Sequence, residues 1–209
     1  KAEQRQWLAR TANHKRLARE LQRTYSAMLR PDGVPISFKL GLNTTTLRGR
    51  QHCVWGDANS PDRTVQTRLG LVNAFQVIDT RLGPRPYCVR CWQWLSAEMS
   101  DCPTCGKRDA VMQRERRVHG WIGIQRFLSS QEYGIDFIRN GRKIEINNKD
   151  LFAWSDDSGT ETEYPIDDPR NRGRIVGEIH LDHCRVTYMK DRFDRNDPAW
   201  DEMVRIVRG

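Results

Sequence analysis

Apolar residues in the first thirty positions recur at helical spacing: Leu17, Leu21, Tyr25, Met28 and Leu29 share a face, with Lys15, Arg16, Arg19 and Arg23 on the others. This predicts one amphipathic helix over residues 1–30, stopped by Pro31-Asp32-Gly33. Ile36, Phe38, Leu40 and Leu42 then alternate with smaller or polar residues, the period of a half-buried strand over 35–42. From 43 to 82 the pattern is ambiguous: Val65, Leu69 and Val72 suit a helix, whereas Asn73 to Asp79 also suits a strand. The segments 115–128 and 133–146 read as strands, the second folded into a hairpin by Asn140-Gly141, a dipeptide that accepts positive φ. Ser155 to Arg174 reads as an exposed loop with separated charges, because its first fourteen residues hold six acids and no base while Arg170, Arg172 and Arg174 close it. Arg174 to Leu181 resumes the strand pattern, and Asp197-Pro198 opens a helix with Trp200, Met203, Val204 and Val207 on one face. Helix, strand, uncertain segment, cysteine-rich insert, two strands, loop, strand and helix make an α+β chain.

Composition narrows this picture in two ways. Thirty-five Lys and Arg against 27 Asp and Glu give +8, which favours a polyanionic partner, although a charge run such as the eight bases of the first thirty residues also suits a solvated face. Seven tryptophans and 37% apolar residues are too many for a disordered chain. No apolar run reaches membrane-spanning length and the first residues lack a signal-peptide core, so the expected setting is intracellular, cytoplasm or nucleus, with no membrane partner. A helical pattern already under way at Lys1, with no initiator methionine, suggests a piece of a longer protein.

Cys88-Val-Arg-Cys91 and Cys102-Pro-Thr-Cys105 form two CxxC pairs ten residues apart. Four thiolates at this spacing suit a tetrahedral zinc ion, and the short hairpin between them is too small to fold by apolar burial alone. The expected result is a zinc ribbon over residues 85–110, with disulfides or a redox CxxC as the weaker readings. An all-cysteine site is closed, so its role is scaffolding. Around it stand Lys107, Arg108, Arg114, Arg116 and Arg117, with Trp92 and Trp94 on the hairpin. Bases beside aromatics could contact phosphates and stack on bases, or the tryptophans could pack the ribbon against the main domain. Cys53 and Cys184 lack matched partners and read as buried small apolar residues.

His180-Leu-Asp-His183 invites comparison with metal nucleases of the His-Asn-His kind. There, one CxxC pair lies on each side of the Asp-His and a later histidine completes the metal site, whereas here both pairs come first and no histidine follows His183. Surface or edge-strand histidines are the plainer reading. A PD-(D/E)xK nuclease needs an acid two residues before a lysine on one strand, but Lys143-Ile-Glu145 runs the other way. No complete active site is legible.

The blocks EYGIDFIRNGRKI, RGRIVGEIHLDH, TYMKDRF and AWDEM together resemble the transducer portion of MORC-type GHKL ATPases, the superfamily of gyrase B, MutL and heat-shock chaperone ATPases. The match covers roughly 115–205 and extends more weakly to residues 21–40, which are similar to the last helix and strand of the nucleotide-binding domain. The resemblance implies a mixed-sheet transducer of the ribosomal-protein β-α-β type over 46–209, preceded by the end of an ATP-binding domain over 1–45. It also implies that Lys190 contacts the γ-phosphate of ATP, that ATP and Mg belong to an upstream domain in a full-length parent, and that the parent closes as a homodimer on DNA. The motifs of the ATP site itself are absent, so this chain alone is expected to be inactive. The zinc ribbon stands where familiar members have a short connection. A zinc-ribbon nucleic-acid or protein adaptor with no ATP linkage is the alternative.

Overall fold

The N-terminal amphipathic pattern forms helix α1 (Thr11–Thr24), then breaks at Tyr25 before one further helical turn, α2 (Ser26–Leu29). The computed structural model describes residues 3, 6, 10–30, 38–56, 61–67, 70–156, 159–162 and 173–208, so part of the helix expected over 1–30 and of the strand expected over 35–42 lies outside them. Of that strand, Phe38 to Leu40 keep alternating burial but carry no ladder. Asn43, with φ 53°, reverses the chain at once into the two-residue strands β1 (Gly41–Leu42) and β2 (Thr45–Thr46).

The ambiguous segment is extended. Strands β3 (Thr64–Thr67) and β4 (Gly70–Asn73) pair with Val65 opposite Val72, a cross-strand contact between β-branched side chains that outweighs the helical spacing. The long strand β5 (Phe75–Cys88) follows, then the short β6 (Gln93–Trp94) and the nineteen-residue β7 (Val111–Ser129). β5 pairs with β7 from Phe75 opposite Gly123 up to Cys88 opposite Val111, so the cysteine-rich insert is the elaborated tip of one hairpin. The second hairpin joins β8 (Gly134–Arg139) to β9 (Arg142–Asn148) through Asn140 and Gly141, at φ 49° and 78°, as their sequence requires. A 3-10 turn (Asp150–Phe152) leads into the ladder of β10 (Ala153–Asp156) with β11 (Gly159–Thr162), so the stretch expected as a loop from Ser155 begins as a paired hairpin, and residues 157–158 and 163–172 of it lie outside the described residues. β12 (Gly173–His180) and helix α3 (Pro198–Arg208) complete the chain.

The main sheet has the order β6-β5-β7-β12-β8-β9. β12 therefore separates the two strands β7 and β8, lying antiparallel to the first and parallel to the second. The sheet is mixed, and the chain is of the α+β class that the element pattern predicts. The connection between the parallel strands β8 and β12 holds β9, the 3-10 turn, β10 and β11, with no α-helix among the described residues.

Register assigns the two faces. Ile78, Gly120, Ile179 and Phe137 are opposed across four strands, and α3 covers this apolar side with Trp200 and Met203. Trp200 meets the Phe137 ring edge-on at 4.9 Å between centroids, and Phe193 fills the third corner. The Asp197 carboxylate caps α3 by accepting the Ala199 N–H at 3.1 Å, with Pro198 at the first helical position. The other face is mixed and carries charged groups in two rows: Val77, Trp121, Glu178 and Asp136, then Asp79, His119, His180 and Ile138. Against it lie the end of the helical arm, through Arg30, and the segment carrying His52.

Candidate metal centre and a buried ionic cluster

Each CxxC turn is closed by a backbone hydrogen bond to the first cysteine: Trp92 N–H to Cys88 O and Gly106 N–H to Cys102 O, both 2.8 Å. The four sulfurs of Cys88, Cys91, Cys102 and Cys105 all lie within 4.8 Å of one another. Cys88 Sγ and Cys105 Sγ are 3.8 Å apart. Tetrahedral metal–sulfur bonds of about 2.3 Å would set sulfurs about 3.8 Å apart, so the spacing fits one metal ion. Electrostatics agree. Hydrogen bonding with Cys105, then burial and the other two sulfurs, pushes the Cys91 thiol up to about 12. Burial would raise Cys102 as well, but the N–H groups of Cys105 and Thr104 bring it down to about 6. Four thiols this close cannot all ionise unless a cation shares their charge. Gln93 Nε2 donates to Cys102 Sγ at 3.3 Å and to Thr104 Oγ1 at 2.8 Å, bracing the second turn from outside the ligand set.

The two tryptophans, equivalent in sequence, are placed differently. Trp94 packs the ribbon on the main sheet: its Nε1 donates to Asp182 O at 3.2 Å, its ring meets Tyr87 and His183 edge-on, and the Arg114 guanidinium lies over it. Trp92 is 74% exposed and left-handed, at φ 56°. Of the bases expected around the ribbon, Arg116 is tied to Glu202 and Leu82 O, and Arg117 to Asp79. Lys107 and Arg108 stay exposed, with one loose contact from Arg108 to Asp101 at 3.9 Å.

The histidines are not on an edge or on the surface. His180 stacks on His119 at 4.4 Å inside the sheet, and His183 is 1% exposed with no protein hydrogen-bond partner on either ring nitrogen. A general base needs a face open to the water that it activates, and His183 has Trp94 against it. Burial, then the charges of Arg116 and Arg85, lowers His183 to about 4, against weaker opposite pulls from Asp182 and Asp197. Burial and His119 take His180 to about 4 as well. A histidine held neutral in the fold binds its proton more readily when unfolded. The stability it contributes is therefore whole above about pH 6.5 and drains away as pH falls to about 4, by about 3 kcal/mol for His183. His183→Phe is expected to remove its share, so urea midpoints of variant and parent should diverge between pH 7 and pH 5, with the variant the less acid-sensitive.

Cys184 is buried, as its sequence setting predicts, and burial followed by Asp197 pushes its thiol up to about 12. Cys53 is exposed instead: it lies where residues 53–55 cross the end of β7, and it lines a cleft. The cleft, of about 190 Å³, is rimmed by Arg23, Arg50 and Phe127 and floored by His52, Asp136 and Lys143.

Beneath it lies a group that sequence reasoning did not assemble. Asp136 on β8 and Glu178 on β12 stand opposite each other, and Lys143 Nζ sits between them, 2.6 Å from Asp136 Oδ2 and 2.7 Å from Glu178 Oε1. These three side chains are at most 3% exposed. Arg30 reaches in from the helical arm to grip both Glu178 oxygens, and His52 Nε2 lies 3.6 Å from Asp136 Oδ2. Burial alone would raise both carboxyls. Lys143 and Arg30 instead bring Glu178 down to about 2, and His52 and Lys143 hold Asp136 below its ordinary value. Donor atoms of His52, Asp136 and Glu178 lie within 4.8 Å of one another, as a metal would need. The position between the carboxylates is, however, filled by the Lys143 ammonium, and two acids with two bases already sum to zero charge. A divalent ion would have to expel Lys143, so the cluster reads as an ionic tie between arm and sheet.

No family model, curated protein or solved structure matches this chain. Its chemistry is therefore read from its own geometry. Among the described residues no helix is long and apolar enough to cross a membrane.

Lys190 sits at the tip of a closed turn beyond β12. Val186 bridges Phe193, Thr187 N–H donates to Arg192 O at 3.0 Å, and Lys190 N–H donates to Thr187 O at 2.9 Å. Phe193 N–H anchors the base of the turn on Glu145 Oε1 at 2.7 Å. At the tip, Tyr188 is 98% and Met189 77% exposed, and Lys190 is left-handed at φ 55°.

Proposed function

We propose that this chain is the transducer portion of a MORC-type GHKL ATPase with an inserted zinc ribbon. Lys190 is its reader of the terminal phosphate. The observation that carries the proposal is the turn just described: a braced loop leaving the central strand, with a lysine in a strained backbone conformation at its tip and no ion-pair partner among the described residues. Strain of about 1–3 kcal/mol is kept where a function over-determines it. An ammonium on a four-carbon stem can bind a phosphate as a point charge and release it once the phosphate is lost. ATP and Mg would be held by an upstream ATP-binding domain, the parent would close as a homodimer, and DNA would be its partner. In the ribbon the metal is zinc, the ion suited to four thiolates in a closed structural site.

In the full-length parent, Lys190→Ala is expected to lower ATP turnover roughly 10- to 100-fold, the loss of one charge-assisted phosphate contact, and to abolish nucleotide-driven dimerisation. Unchanged turnover and dimerisation would remove the sensor role. A reading frame without ATP-site motifs upstream of Lys1 would remove the whole assignment and leave the second reading, a zinc-ribbon adaptor without ATP linkage. That reading draws its support from the exposed ribbon tip.

A further inference from the structure

The two metal knuckles have the same backbone. In each, the residue after the second cysteine closes the turn onto the first and takes a left-handed conformation: Gly106 at φ 65° in one, Trp92 at φ 56° in the other. Glycine adopts this conformation without strain, because it has no Cβ, whereas a bulky side chain there is a rare and costly choice. Stability therefore favours glycine at position 92, as at 106. The indole does not recover the cost by packing, since it is 74% exposed while Trp94, two residues on, does the packing. A strained, exposed aromatic of this kind is placed for contact.

The knuckle loops indicate with what. The first carries Arg90 between its cysteines and the second is followed by Lys107 and Arg108, all exposed. The ribbon's acids, Glu98, Asp101 and Asp109, stand outside the two CxxC turns. An open indole flanked by unburied bases on a chain of net charge +8 suits a ligand with flat faces and a phosphate backbone. Bases of a duplex are already stacked and offer no face to a single indole, whereas those of a single strand do.

We infer that the ribbon tip binds single-stranded nucleic acid, with one base stacked on Trp92 and adjoining phosphates met by Arg90, Lys107 and Arg108. This deepens the DNA-binding part of the reading above and rests on it. It also narrows the surface: Trp94 and Arg114 pack in the ribbon's seat, while Arg116 is tied to Glu202 and Arg117 to Asp79, away from the ribbon tip.

The test uses the metal-loaded chain and fluorescence anisotropy with oligothymidylate of about twelve nucleotides, a length matched to small single-strand sites, beside a duplex of equal length. Trp92→Gly is expected to weaken oligothymidylate binding roughly 5- to 150-fold, the loss of one base–aromatic stack. Its melting temperature should be equal to or above the parent's, because the knuckle keeps its turn and loses its strain. That stability readout separates a lost contact from a lost fold. A triple change of Arg90, Lys107 and Arg108 to Gln should flatten the salt dependence. If Trp92→Gly binds as the parent does, or the duplex binds as tightly as the single strand, the inference is overturned while DNA binding stands. If neither nucleic acid binds even at low salt, the DNA-binding reading falls with it.

Discussion

Replacing Lys143 with methionine is expected to cost the fold about 3–5 kcal/mol, the penalty for breaking a buried ion pair by removing one partner. Methionine nearly matches the lysine stem in volume, so the loss is electrostatic. Asp136 and Glu178 would face each other across neighbouring strands with Arg30 as the one strong cation left on Glu178. One of the two would take a proton near neutral pH, as like charges this close cannot both ionise in a dry interior. The pH profile should therefore move with the midpoint. In the parent, Glu178 lies near 2 against an ordinary 4.5, so its contribution is whole above about 4.5 and is lost as pH falls toward 2. In Lys143→Met the loss should begin at higher pH. Urea titrations at pH 4 and pH 7 check both statements, and an unchanged midpoint at pH 7 would show that the cluster does not hold the arm to the sheet.

Removing the metal should have the larger local effect. Zinc supplies about 10–16 kcal/mol of apparent binding free energy in small four-ligand domains, and the ribbon's own apolar core is little more than Leu95 and Ala110 beside the cysteines. Chelation, or Cys102→Ser, is expected to unfold residues 88–110 while β8 and β12, packed in the main core, keep their amide protection. Trp94 would leave Tyr87, Arg114 and His183 and its emission would shift to the red. Metal analysis should give one zinc per chain. Full exchange protection over 88–110 in the chelated chain would refute a metal-stabilised ribbon.

How legible this was depended on how local the signal is. Cys-x-x-Cys spacing, the Asn-Gly turn and the Asp-Pro helix start act within a few residues, and each stands where the sequence places it. The segment 43–82 is ambiguous because Val65, Leu69 and Val72 keep helical spacing while Asn73 to Asp79 suits a strand, and the pairing of Val65 with Val72 across two strands, which decides it, has no local signal. Histidines 180 and 183 look like surface groups until β12 is seen to lie inside the sheet, an arrangement set by strands that are distant in sequence. The ionic cluster was hidden for the same reason. Asp136 and Glu178 interrupt the apolar runs Gly-Ile-Asp-Phe-Ile and Val-Gly-Glu-Ile, and a charge in such a run is a signal that it has a buried partner, whereas Lys143 stands among charged neighbours in Arg-Lys-Ile-Glu-Ile and gives no such signal. Which partner it has is decided by strand order.

That order also bears on how the chain is made. β12, the strand that joins the two halves of the sheet, is the last of the six to leave the ribosome, so β7 and β8 must wait with unpaired edges until residues 173–180 emerge. During that interval a nascent chain exposes two templates for pairing with its neighbours. The protein should accordingly refold slowly, from long-range contacts, and any product ending before β12 should accumulate as aggregate rather than as a smaller folded domain.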